Sequence, residues 1–372
     1  MRMWLLAGGV TALVVAGGAL SFARDANPSA HFILTLVASL HTPDAPSSIV
    51  AVPVDNPESE HILSTGLHAA RSPHVSPDGA RVVFAGRKTA DDPWSLWEVA
   101  VDDDHPRELV TGIEATGPLY IGPDRLLFSG RQGADDDWAL YTIRRDGSGL
   151  ERVTHHPGDD LSPSILRDGR IAFVHRPAND AGPARWLAIR PDGTGLELIE
   201  EAVGEAHARG TGQAVPTIWQ RRDDTMDVID VVATDAPMVG RGLLSVVDTT
   251  KDVGWIYGID ANQSRDPTAT GRGRQAARLR VLSVGSVWWD VDLEVDGSFF
   301  VELPADTPFR LETLDAEGRT IRGPSDWLWV RPGEHRGCIG CHEPRGTVPP
   351  NRVPLAVERG VTMLSPSTSP AR

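Results

Sequence analysis

Two cysteines, Cys338 and Cys341, stand three residues apart, and His342 follows the second directly. No other cysteine occurs among the 372 residues. Thiols at that spacing can each add to one vinyl group of the same porphyrin, giving two thioether bonds. The adjoining imidazole is then held near the ring face, where a ring nitrogen can ligate iron. The C-x-x-C-H pattern therefore predicts one covalent haem c, attached through Cys338 and Cys341, with His342 as the iron ligand. Three other readings stay open: a strained local disulfide, half of a zinc site, or a degenerate motif without cofactor. A thioredoxin-like pair fits poorly, because that motif belongs at a strand-to-helix turn in a βαβ unit. Here it follows Arg331-Pro332-Gly333 and precedes a proline-rich stretch.

The distal iron ligand is left open by the sequence. Tyr257, His335 and Met363 are the candidates: His335 would have to fold back over the ring, and Met363 would have to reach in from a terminal tail. A five-coordinate iron is equally consistent. Trp327 and Trp329 alternate just before the motif, as core residues or as packing for a porphyrin edge. Arg331, Arg336 and Arg345 flank it, as propionate partners or as ordinary surface charge. His155-His156 with Asp159-Asp160 has metal-ligand chemistry but reads better as a connecting loop. The sequence contains no G-x-S-x-G, phosphate loop or H-E-x-x-H, so hydrolysis has little support.

Those residues need a compartment where haem is attached. Met1-Arg2-Met3 is a short basic start, Trp4 to Leu20 is apolar or small, and Ser21-Phe22-Ala23 resembles a cleavage site. Residues 1–23 are thus expected to be a secretory signal, and the location periplasmic or otherwise extracytoplasmic. Membrane contact is expected only if the segment stays uncleaved, when it would be just long enough to span. The net charge of -15 argues against nucleic acid as a partner. Gly 37 and Pro 29 suit a turn-rich all-β chain better than a helical one.

The positioning elements repeat. Ser76-Pro77-Asp78-Gly79 leads into Arg81-Val82-Val83-Phe84, Gly122-Pro123-Asp124-Arg125 into Leu126-Leu127-Phe128, and Leu166-Arg167-Asp168-Gly169 into Ile171-Ala172-Phe173. Asp102, Asp146 and Asp192 mark the second turn of each unit, 44 and 46 residues apart. Asp55 keeps the period in a fainter first unit of Phe32–Leu40 and Ile49–Val54. Short β-forming runs between Pro-Asp-Gly turns make a four-stranded sheet of roughly 40–50 residues, the unit of a propeller. The S-P-D-G-x-R-V-V-F run at Ser76–Phe84 and the D-G-x-G-L runs at Asp146–Leu150 and Asp192–Leu196 resemble the blades of TolB-like propellers. That resemblance covers about residues 30–200 and implies fold rather than function. Val215–Trp219 and Val228–Ala233 read as strands of divergent blades, and ring closure is left undecided.

Past residue 240 the pattern changes. Leu279–Val284, Val291–Val295, Ser298–Leu303, Phe309–Leu314 and Asp326–Val330 read as strands of a small antiparallel sandwich, with Asp296-Gly297 as a hairpin turn. Val295-Asp296-Gly297-Ser298-Phe299-Phe300-Val301, Leu303-Pro304-Ala305-Asp306-Thr307-Pro308, Trp329-Val330-Arg331-Pro332-Gly333-Glu334 and the cysteine motif follow in order. This succession resembles the middle domain of the hydrazine synthase alpha subunit family over about residues 240–357. The resemblance implies a covalent c-type haem beside a propeller. That family also uses a tyrosine just after the motif as iron ligand, freeing the motif histidine for zinc. Glu343–Val348 has no tyrosine, which leaves His342 as the favoured iron ligand. No second C-x-x-C-H occurs here, so hydrazine synthesis itself is not expected.

The expected architecture is therefore all-β: a signal over 1–23, a TolB-like propeller, complete or incomplete, over 30–240, a sandwich-like haem domain over 241–357 and a tail over 358–372. The expected function is electron transfer by a single-haem, cytochrome-like protein, or the redox subunit of a periplasmic complex, with a redox partner or complex subunits as partners. The alternative is a propeller scaffold whose haem motif is vestigial or non-redox.

Overall fold

The computed structural model describes residues 31–38, 45–53, 55–56, 59–178, 182–199, 219–220, 227–234, 244–263, 274–340 and 351–363. The signal segment, Cys341, His342 and Arg345 lie outside them. The chain divides into two compact units. The first holds 1–154, 158–191 and 197–243; the second holds 244–372 with two short segments, 155–157 and 192–196. Among the described residues no helix is long and apolar enough to cross a membrane.

The first unit is a propeller of antiparallel sheets. Three sheets repeat one up-and-down order: Ala69–Val75, Arg81–Arg87, Ser95–Ala100, Arg107–Glu108; then Glu114–Tyr120 to Glu151–Arg152; then Gly158–Ile165 to Glu197–Leu198. The turns have the conformation their residues favour. Gly79 sits at φ +72° with its N–H on the Ser76 carbonyl, and Gly169 at φ +89° with its N–H on Leu166. Each first strand breaks register at one place, between Arg71 and His74, Thr116 and Leu119, and Leu161 and Ser164. A left-handed residue precedes proline there each time: Ser72, Gly117 and Ser162.

Period-two alternation then sorts side chains between neighbouring sheets. Val82 and Phe84 face the N-terminal sheet and pack with Ile33, Ile49 and Leu63. Val83, between them, faces the other way and packs with Leu126, Phe128 and Tyr141. Each of these large side chains contributes about 1.5–3 kcal/mol on burial. A polar clamp reinforces the second interface. The Glu98 carboxylate accepts from Arg145 at 2.6 and 3.0 Å and from the Tyr120 hydroxyl at 2.8 Å.

The N-terminal sheet brings together strands that the sequence leaves separate. His31–Val37 pairs with Ser47–Pro53 on one side and with Asp227–Ala233 on the other. The expected strand at Val228–Ala233 thus completes the first repeat instead of starting a new blade. Of the expected strand at Val215–Trp219, only Trp219 falls among the described residues, in a two-residue strand with Gln220.

The second unit is a sandwich around Ile256, Leu279, Val281, Val301, Phe309 and Val330. One sheet is antiparallel, ordered Ser286–Asp292, Arg278–Ser283, Arg310–Leu314, Thr320–Arg322. The other places Val253–Gly258 between Phe299–Pro304 and His335–Cys338. The expected small antiparallel sandwich is present, with parallel additions: His335–Cys338 runs parallel to Val253–Gly258, and Thr362 bridges Val301 in parallel. The expected last strand, Asp326–Val330, is reduced to a single bridge between Phe309 and Leu328. Trp329 and Val330 are both buried, so this stretch lacks the one wet face of a half-buried strand. The turn at Pro332-Gly333, with Gly333 at φ +74°, then redirects the chain into the true last strand.

Candidate cofactor-attachment site

Cys338 ends the edge strand of the three-stranded sheet. Residues of His335–Cys338 lie opposite Trp255, Ile256, Tyr257 and Gly258 in turn. Trp255 donates its N–H to the Glu334 carbonyl at 2.8 Å, and Ile259 donates to the Cys338 carbonyl at 3.0 Å, so the strand is pinned at both ends. Alternation separates its side chains. Arg336 and Cys338 take one face, His335 and Gly337 the other.

On the inner face Cys338 packs against the sandwich core. Burial pushes its thiol up, against a smaller opposing effect of the Arg336 charge. A thiol kept protonated is a poor metal ligand and a poor exchange nucleophile. Arg336 donates to the carbonyls of Trp329 and Leu196, both at 3.3 Å. Arg331 is 2% exposed, pairs with Asp306 at 2.7 Å and donates to the Asp192 carbonyl at 3.0 Å. Both arginines hold the backbone around the motif. Trp329 is buried, with the His156 ring edge-on at 5.0 Å, while Trp327 lies under the Arg310 guanidinium.

The outer face carries an aromatic group that the sequence reading did not assemble. His335 stacks on Trp255 with ring centroids 4.4 Å apart. Tyr257 meets Phe300 edge-on at 6.0 Å, and Phe300 lies 6.3 Å from His335. Trp255 donates its indole N–H to Glu302 at 3.0 Å, and Lys251 sits over its ring. The Tyr257 ring lies so close above Gly337 that a Cβ there would stand 2.6 Å from its hydroxyl oxygen. The available signal was the alternation of Trp255 and Tyr257 with Gly254, Ile256 and Gly258 along one strand.

The three distal candidates are therefore placed differently. Tyr257 and His335 share the outer face beside the cysteine strand. Met363 is exposed and follows Thr362, which bridges to Val301 at the far edge of the same sheet. The structure brings two of them together and leaves the third two strands away from Cys338.

Residues 248–343 match the family of the hydrazine synthase alpha subunit middle domain. The second unit is similar to that domain. The match takes in the whole cysteine motif and its pinned strand. Over both units, the chain is similar in fold to the hydrazine synthase of Kuenenia stuttgartiensis. That likeness has a TM-score of 0.72 and 13% identity, covering 90% of this chain and 72% of the other. TolB from Acinetobacter baumannii gives a TM-score of 0.36 at 12% identity, over 54% of this chain and 51% of that one. Comparison with curated proteins found no match.

Proposed function

We propose that this chain is an exported protein carrying one covalent haem c, which transfers electrons or forms the redox subunit of an extracytoplasmic complex. One observation carries the reading: the C-x-x-C-H of Cys338, Cys341 and His342 falls inside the segment that matches the hydrazine synthase alpha middle domain. Cys338 supports it through its place at the end of a pinned strand, with its thiol beside apolar side chains. In this reading Cys338 and Cys341 hold the group and His342 ligates its iron. A haem so held supplies a one-electron iron couple whose potential follows from axial ligand and burial. The chain's own contribution is to fix the attachment strand against Val253–Gly258, through the Trp255–His335 stack and the Arg336 hydrogen bonds. Residues 1–23 would direct export. The similarity to a protein called a subunit supports a multi-subunit setting, with redox partners among its members.

The test is expression into the periplasm with the haem-attachment machinery present. A pyridine haemochrome spectrum and a Soret band that survives acid-acetone extraction are expected, both lost in Cys338→Ser/Cys341→Ser. A mature polypeptide whose mass includes no tetrapyrrole under those conditions overturns the reading.

A further inference from the structure

Arg336 and Cys338 project from one face of the attachment strand, two residues apart. The Arg336 side chain is half-buried, and its two terminal nitrogens donate to the Trp329 and Leu196 carbonyls, both at 3.3 Å. Among the described residues no carboxylate forms an ion pair with it. Arg331 also holds backbone carbonyl oxygen, but its charge is met by Asp306 at 2.7 Å. Glu334 feels the Arg336 charge, yet burial pushes its carboxyl up, and one of its oxygens already accepts the Arg331 N–H at 2.8 Å.

The two hydrogen bonds do not by themselves require an ion. A neutral amide also carries two N–H donors and can serve two carbonyls, whereas a half-buried charge without a counter-ion costs desolvation. The field of this charge falls on the Cys338 sulfur, where it opposes the effect of burial on the thiol. Along a strand, residues two apart are separated by about 7 Å, within the ~8–10 Å over which charges act in physiological salt. A group bonded to the sulfur is attached on the face from which the guanidinium projects. The iron–porphyrin core of a haem carries one positive charge fewer when ferrous than when ferric, so a fixed cation beside it favours reduction.

We infer that Arg336 is held beside the motif for its charge: it raises the reduction potential of a haem bonded to Cys338 and so biases the protein toward taking electrons from its redox partner. This rests on the covalent-haem reading above. Spectroelectrochemical titration of the full-length, haem-loaded protein tests it, with parent, Arg336→Gln, Arg336→Met and Arg336→Lys compared. The neutral variants should shift the ferric–ferrous equilibrium toward ferric haem about five- to tenfold, a fall of about 40–59 mV for a one-electron couple. Arg336→Met serves if Arg336→Gln fails to fold. Arg336→Lys keeps the charge and should stay within twofold of the parent. The inference is overturned if the neutral variants also lie within twofold, or if Arg336→Lys falls as far as they do, which would trace the effect to lost hydrogen bonds. A parent protein that takes up no haem overturns the covalent-haem reading and this inference with it, whereas a haem-loaded series with one unmoved potential overturns the inference alone.

Discussion

Replacing Gly337 by alanine tests how the cysteine strand is held. The added methyl would stand 2.6 Å from the Tyr257 hydroxyl oxygen and 2.7 Å from Cζ, where ordinary contact begins near 3.4 Å. The ring would have to retreat by about 0.8 Å, well inside the repulsive wall of a non-bonded contact. Phe300 stands edge-on to Tyr257 at 6.0 Å. Strain of this kind in a packed site costs about 1–3 kcal/mol. A cost of about 2 kcal/mol lowers the melting temperature of a unit this size by roughly 4–8 °C. The assay is thermal and urea unfolding of parent, Gly337→Ala, Tyr257→Ala and the double variant. Removing the ring makes room for the methyl, so Gly337→Ala should cost little in the Tyr257→Ala background. The coupling energy should be about 1–2 kcal/mol. Equal cost in both backgrounds would show that Tyr257 does not set the glycine requirement.

Acid should loosen the second unit through Asp296. Burial works to raise this carboxyl, but hydrogen bonds from Ser298 and the Leu355 N–H, with the Arg352 charge, hold it at about 2. A depressed carboxyl contributes stability that is complete above its unfolded value of 3.8 and is lost as pH falls toward 2. That contribution is on the order of 2 kcal/mol, and Asp296→Asn should flatten urea stability between pH 5 and 2, by about that amount. In the first unit, Glu98→Gln removes the charge that faces Arg145. The side chains are 5% and 21% exposed, so most of the cost of breaking a buried pair applies, and a loss of about 2–4 kcal/mol is expected in chemical denaturation. A loss below about 0.5 kcal/mol would show that solvent replaces the pair at no cost.

The repeating unit was readable because its signals are local. Pro-Asp-Gly turns and the short apolar runs after them dictate the reversals and the strands, whereas the opposite facing of Val83 against Val82 and Phe84 is seen only in the packing, because an unbroken apolar run carries no alternation. Closure of the N-terminal sheet was not readable. His31–Val37 and Asp227–Ala233 are about two hundred residues apart, and nothing in either run encodes its partner. Strand pairing along an otherwise open edge joins them, helped by the Thr35 hydroxyl donating to Asp230 at 2.8 Å and by burial of Val232 with Ile33.

The attachment strand shows the opposite failure. His335-Arg336-Gly337-Cys338 has weak intrinsic preference for extended structure, whereas Asp326–Val330, with two tryptophans and a valine, has a strong one. Sequence reasoning therefore chose the wrong segment. The choice is reversed by tertiary fit. Trp329 and Val330 are drawn fully into the core and give up a regular ladder, while the plain segment after Pro332-Gly333 lies beside Val253–Gly258. Its composition follows from what touches it: no side chain at Gly337, where Tyr257 closes down, a flat imidazole at His335 to stack on Trp255, and a guanidinium at Arg336 long enough to reach the Trp329 and Leu196 carbonyls. A segment selected for contacts of this kind carries little strand signature of its own. The cysteine spacing could point to a chemistry, but only the pairing partner reveals how the first cysteine is held.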